Sequence, residues 1–312
     1  MPNKICNFDV LLDDCFMHFN PNKANISPDD NDFLLSVANG FEDGQWMKKA
    51  FYKFIFDNIV ETALSSDERD KCVNGEYSKL TEAVKHLRLT DNSNDIGKGS
   101  EIAEIVLYGI MKHYFHALSA IPKIFYKQND NDNAKGADSV HIVLTDDGDF
   151  QLWLGEAKFY NNLEDSRFSV PIGSVQQMLQ TPIIKKETGI LTNLNELDKQ
   201  IKDVNLVKKI KEALNPNQSI DLIKPKIHVP ILLLYQCDIT ASTTEFTDDY
   251  KQKIIDYHKE RAIVYFKKQI SSLAGIYNYD KINFHLILFP IPNKEEIVSW
   301  FVDRAKIFRQ DV

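Results

Sequence analysis

Asp138, Glu156 and Lys158, in the stretch "GADSVHIVLTDDGDFQLWLGEAKFYNN" (residues 136–162), are residue types that do polar chemistry when held together. Two carboxylates in contact repel, and partial burial raises the cost unless a cation compensates. They meet only if the intervening chain folds back. The link "TDDGD" fits a three-residue loop, Asp146-Asp147-Gly148, made of a type I turn followed by glycine in the left-handed conformation. Thr145 then faces Asp149, and the opposed pairs become Leu144 with Phe150, Ile142 with Leu152, Val140 with Leu154 and Asp138 with Glu156. A two- or four-residue loop would instead set Asp138 opposite Ala157 and spoil the apolar pairing. Side chains alternate with period two, so Lys158 shares the face of Glu156. The predicted hairpin thus has an apolar face ending in two carboxylates and an ammonium. The plainer alternative is a hairpin that frays into solvent and leaves these charges hydrated.

The elements that must position this end begin with "KGSEIAEIVLYGIMKHYF", which reads as a helix over about 99–118. At about 100° per residue, Glu104 projects among Tyr108, Met111 and Phe115, whereas Glu101 lies nearer the polar arc of Lys112 and His116. A glutamate on the packed side needs a partner, either a nearby lysine or the charged end of the hairpin. Helices are predicted over 45–64 and 77–89, and a short strand at "KIFYK" (123–127). After the hairpin come a helix over about 172–185, a largely helical Lys-rich insert and the buried strand "HVPILLLYQCD". A long helix (248–274), the strand "INFHLILF" and a last helix (294–308) complete the order. This alternation predicts an α/β fold, a central mixed sheet flanked by helices. The turn-rich "DNSND" (91–95) suggests a boundary between a mainly helical, acidic region (1–95) and an α/β domain (96–312) with its insert at about 185–225.

Composition narrows the function classes. A chain of 312 residues, 43% hydrophobic and 26% charged, is that of a soluble globular protein. No apolar run approaches a membrane span and the N-terminus does not read as a secretory signal, so a cytoplasmic protein without a membrane partner is expected. The four scattered cysteines suggest neither zinc nor disulfides. Of the net charge of -8, residues 1–95 carry -7, with 10 Lys+Arg against 17 Asp+Glu. That leaves local lysine clusters, not overall charge, to meet phosphates. Lys185, Lys186, Lys199, Lys202, Lys208, Lys209 and Lys211 are the candidates for DNA or partner contact, the plainer reading being a solvated helix face. No GxxxxGK[ST] loop, HExxH or GxSxG is present, which argues against an ATPase, a zinc protease or a serine hydrolase.

A helix with Glu, a strand, a strand opening on Asp, a strand closing on Glu-x-Lys, then a helix: over roughly 99–180 this order resembles the PD-(D/E)XK (restriction-endonuclease-like) nuclease core, with "GAD" in place of "PD". The resemblance implies that Asp138, Glu156, the carbonyl of Ala157 and Glu104 (or Glu101) hold one or two Mg²⁺ ions, for which Mn²⁺ can substitute. It implies further that Lys158 orients or activates the attacking water. Gln176 and Gln177 match the place where such nucleases carry a Gln or Lys, surface amides being the plainer reading. "EIAEIVLYGIMKHYF", "GADSVHIVL" and "LWLGEAKFY" also look like the HamA family of the Hachiman anti-phage system. That resemblance implies a Mg²⁺-dependent deoxyribonuclease held in check by a helicase partner, HamB, which would supply the translocation on DNA that this chain has no ATPase to drive. Two other readings stand beside it: an inactive nuclease-fold module that grips DNA or a helicase, and a stand-alone restriction-type endonuclease.

Overall fold

The computed structural model describes residues 4–19, 31–72, 75–89, 99–126, 136–193 and 196–310. Its strands are β1 (Lys4–Ile5), β2 (Phe8–Cys15), β3 (Asp32–Ala38), β4 (Phe41–Glu42), β5 (Gln45–Trp46), β6 (Leu118–Ile121), β7 (Ser139–Leu144), β8 (Phe150–Tyr160), β9 (Ile227–Gln236) and β10 (Asn283–Ile291). The helices of the first half are α1 (Phe16–Phe19), α2 (Lys48–Ala63), α3 (Ser66–Lys71), α4 (Glu76–Lys85), α5 (Ser100–His113) and α6 (Lys123–Tyr126). Those of the second half are α7 (Ser169–Met178), α8 (Thr181–Asn193), α9 (Glu196–Gln200), α10 (Val204–Ala213), α11 (Asp238–Ala241), α12 (Asp248–Leu273) and α13 (Lys294–Gln310).

One eight-stranded mixed sheet runs β1-β2-β3-β10-β9-β8-β7-β6. Its centre, β3-β10-β9-β8, is parallel, and antiparallel strands extend it on both sides. The central β9 and β10 are buried along nearly their whole length, which is why they read as continuous apolar runs and not as alternating ones. Helices cover both faces. Val140, Ile142, Leu152 and Leu154 pack with residues of α7, α8 and α12 on one side; Trp153, Ala157 and Phe159 pack with residues of α2, α5 and α13 on the other. This is the α/β class with a helix-flanked mixed sheet that the alternation predicts. No helix among the described residues is long and apolar enough to cross a membrane.

Several elements differ from the sequence expectation. "KIFYK" is not a strand: Lys123–Tyr126 is a helical turn, and the strand beside β7 is Leu118–Ile121. Pro122 between them explains the switch, since it offers no ladder donor and its fixed φ suits the start of a helix. The described part of residues 1–95 holds the helices α1–α4 and also strands the sequence did not foresee, β1, β2 and β3, which lie in the same sheet as β7–β10. The helix expected from residue 45 begins at Lys48, because Gln45–Trp46 pairs with Phe41–Glu42. The helix expected over 172–185 is two, α7 and α8, parted at 179–180. The boundary at 95/96 falls outside the described residues.

Candidate functional site

The hairpin that sets the site has the expected register. Leu144 opposes Phe150, Ile142 opposes Leu152 and Val140 opposes Leu154. Thr145 N–H donates to Asp149 O at 2.9 Å, Gly148 N–H to Thr145 O at 3.1 Å, and Gly148 takes the left-handed φ of 74° that a side chain would resist. At the open end the last pair is Ser139 with Gly155, and Asp138 N–H still donates to Gly155 O at 2.8 Å. Gly155 is required here by space: a Cβ would lie 2.2 Å from Ser139 Oγ and 2.9 Å from a methyl of Leu107 on α5.

Beyond Gly155, β8 continues to Tyr160 with β9 on one side, while β7 has ended on the other. Backbone groups of Ala157 and Phe159 therefore turn toward an edge that no described strand covers, and side chains satisfy them. Ala157 N–H donates to Asp138 Oδ2 at 3.1 Å, Lys158 Nζ donates to Ala157 O at 3.3 Å, and Lys294 Nζ donates to Phe159 O at 2.7 Å. The same Lys158 ammonium forms ion pairs with Glu156 Oε1 and, at 3.8 Å, with Asp138 Oδ2. Three hard oxygens, from Asp138, Glu156 and the Ala157 carbonyl, thus surround one cation.

The electrostatics match that crowding. Glu156 is 3% exposed. Burial, and then the charge of Asp138, push its carboxyl up to about 7, against the pull of Lys158 and a hydrogen bond from Ser174. Burial alone would lower Lys158, but Glu156 and Asp138, with a smaller contribution from Glu104, hold its ammonium above the ordinary lysine value. Tyr160 and Tyr265 are also raised, first by burial and next, in both, by the charge of Glu156.

The candidate residues separate at this point. Asp138, Glu156, Lys158 and Ala157 meet as expected. Glu104 is buried and within electrostatic reach of Lys158. It belongs, however, to α5, which packs on the Trp153, Ala157 and Phe159 face, whereas Glu156 and Lys158 share the face of Leu152 and Leu154. Among the described residues no three His, Cys, Asp or Glu side chains gather closely enough to hold a metal ion. Glu101 is committed to the chain before α5: its carboxylate accepts Arg88 N–H at 2.6 Å and Leu89 N–H at 3.2 Å. Gln176 and Gln177 are exposed on α7; only Gln177, three residues after Ser174, shares the face that meets Glu156.

The lysine candidates scatter. Lys185 and Lys186 are half-buried on α8. Lys208 lies 3.9 Å from Glu212; Lys209 lies 3.3 Å from Asp149 and donates to Gly148 O; Lys199 and Lys211 pair with Asp67 and Asp198. Lys209 therefore sits at the hairpin loop, about 26 Å along β8 from Glu156 at about 3.3 Å per residue. Sequence reasoning missed Ser174, Tyr265 and Lys294, which come from three different helices. Of these only Ser174 had a usable signal, its place one helical turn before Gln177.

A divalent ion fits this donor set. Mg²⁺ takes oxygen ligands and is usually bound through one or two carboxylates, and here two carboxylates and a carbonyl already converge on a cation. Glu156, held near 7 by burial and a like charge, gains most from added positive charge. Compared with known proteins, the chain matches a family model described as HamA over residues 13–305. No curated protein matches it.

Proposed function

The chain belongs to the HamA family, which supports a component of the Hachiman anti-phage system, and on that premise we propose that it is the system's metal-dependent DNA nuclease. Its PD-(D/E)XK-like core is the hairpin with α5 and α7. Asp138, Glu156 and the Ala157 carbonyl would hold Mg²⁺, or Mn²⁺ in its place. When bound, such an ion supplies Lewis-acid stabilisation of charge on the scissile phosphate and lowers the pKa of a bound water. Glu104, buried on α5, adds its charge to the field that holds Lys158 in its charged form.

Lys158 has two tasks in this reading. It neutralises the carboxylates while the site waits, and its Nζ can turn to a phosphate oxygen or to the attacking water, since an ammonium rotates its three donors freely. Ser174 fixes one side of Glu156 so that its carboxylate does not follow the lysine. The convergence of Asp138, Glu156 and the Ala157 carbonyl on one cation carries the proposal. It is tested by Mg²⁺-dependent degradation of linear and circular DNA: Glu156→Ala and Asp138→Ala, folded by circular dichroism, abolish it, and unchanged degradation by either refutes the assignment.

One observation favours the second reading, a non-cleaving module: no third described carboxylate joins the pair. Wild-type protein that binds DNA but releases no fragment in Mg²⁺ or Mn²⁺, with or without a helicase partner, would decide for it. A helicase such as HamB is the proposed regulator because this chain carries no P-loop of its own. The expected result is co-purification of the two subunits, and DNA degradation that depends on ATP hydrolysis by the partner.

A further inference from the structure

A second concavity lies apart from the carboxylate pair, between the β4-β5 ribbon, the start of α2 and the outer side of α13. Its volume is about 840 Å³, within the range of pockets that hold small ligands. Trp46, Tyr52, Phe56 and Trp300 form an aromatic wall. Tyr52 and Trp300 stack at 3.7 Å with planes 5° apart, and Trp300 stays partly exposed. The lining carries four cations, of which Lys48 pairs with Glu296 while the exposed Lys49, Lys53 and Arg304 have no carboxylate partner among the described residues, against two exposed carboxylates, Glu42 and Asp43, at the ribbon turn.

The start of α2 adds two features. Helices favour Asp and Glu in the first turn, where the dipole is positive, yet α2 begins Lys48-Lys49 with no acidic residue there, and Met47 supplies no side-chain cap. The first bonds of the helix come from Ala50 and Phe51 N–H to Met47 O, which leaves the Lys48 and Lys49 N–H groups outside its ladder. Trp46, which lines the cavity and is 5% exposed, has a buried indole N–H with no hydrogen-bond partner. A buried donor without a partner costs free energy that a ligand acceptor would recover. All this stands in the third of the chain where acidic residues outnumber basic ones, 17 to 10.

We propose that this cavity is a binding site for a nucleobase and its phosphate: the ring against the Trp300 wall, the phosphate at the start of α2 with Lys49, Lys53 and Arg304. A free nucleotide and the end of a nucleic-acid strand present the same chemistry. The inference does not depend on whether the chain cleaves DNA.

Intrinsic fluorescence reads it directly, because Trp46 and Trp300 are two of the three tryptophans. The full chain is titrated in EDTA with dAMP, ATP, an oligothymidylate, deoxyadenosine and inorganic phosphate. Saturable quenching is expected with dAMP or the oligonucleotide, weakened at least about tenfold in Lys49→Glu/Lys53→Glu and in Arg304→Ala, the equivalent of about 1.4 kcal/mol. Those side chains are exposed, so circular dichroism should confirm unchanged folding. Quenching by dAMP marks a free nucleotide as sufficient; quenching by the oligonucleotide alone marks a strand as the source; either upholds the site. It is overturned if none of the probes quenches saturably, if phosphate or deoxyadenosine alone binds as well as dAMP, or if the charge variants bind normally. Glu156→Gln, which keeps the fold, must retain binding; its loss there would move the site to the carboxylate pair and also overturn the inference.

Discussion

Glu156→Gln should make the metal-free protein more stable, and more so at high pH. The Glu156 carboxyl stands near 7 in the folded chain because burial and Asp138 oppose its ionisation, against an ordinary value of 4.5. Between those values the folded state binds more protons than the unfolded one. Stability from this group is therefore fully present below 4.5 and is lost as pH rises through 7. At 1.36 kcal/mol per pKa unit, the acidic side chain costs about 1 kcal/mol at pH 5, where folding must protonate it, and about 3 kcal/mol at pH 8, where it is buried ionised. Glutamine keeps the shape and the Ser174 contact without the charge, so its advantage should follow the same curve. Urea unfolding of both proteins in EDTA at pH 5, 6, 7 and 8, followed by circular dichroism, measures it. A difference that does not change with pH, or a glutamine variant less stable at pH 8 than at pH 5 relative to wild type, would refute the reasoning. Adding Mg²⁺ should then stabilise wild type and not the variant, which links the thermodynamic cost to the proposed ligand role.

Two other outcomes follow from the fold. His141, His228 and His258 are lowered by burial to about 4, about 4 and about 3, and His285 well below its ordinary value, so their stability is fully present above the ordinary 6.5 and is lost as pH falls through 4 and below; unfolding free energy should fall by up to about 5 kcal/mol per pH unit near pH 5, measured by urea titration. Gly148→Ala meets no atom within 4 Å but keeps a φ of 74°; it should cost about 1–2 kcal/mol in unfolding free energy and leave DNA degradation unchanged, because the loop is remote from Glu156.

How much of this was legible depended on whether a signal was local. The register of β7 and β8 could be read because a one-residue slip would have turned every apolar pair to the wrong face. Glycine at 148 closed the argument. The apolar side of α5 was equally legible, but not which face of the sheet it covers; periodicity gives a helix its buried side and says nothing of its neighbour. Sequence therefore placed Glu104 on the packed side of α5 without fixing how near Lys158 its charge would act. β3, "DFLLSVA", is buried on both faces and has no alternation to betray a strand, and its partner β10 lies some 250 residues away in sequence. Ser174, Tyr265 and Lys294 reach the site from helices joined to the hairpin only through tertiary packing. The lysines of the insert looked like a phosphate footprint because sequence shows charges and not their partners; Asp149, Asp198 and Asp67 already occupy several of them.

The edge of β8 that no described strand covers has a bearing on how the protein behaves in concentrated solution. A strand with free donors and acceptors is a template on which another copy can add. Here Asp138, Lys158 and Lys294 occupy the Ala157 and Phe159 groups that such an addition would use. Two residues proposed for catalysis, Asp138 and Lys158, thus also shield this edge from a second copy, so alanine variants there should lose solubility for reasons unrelated to cleavage.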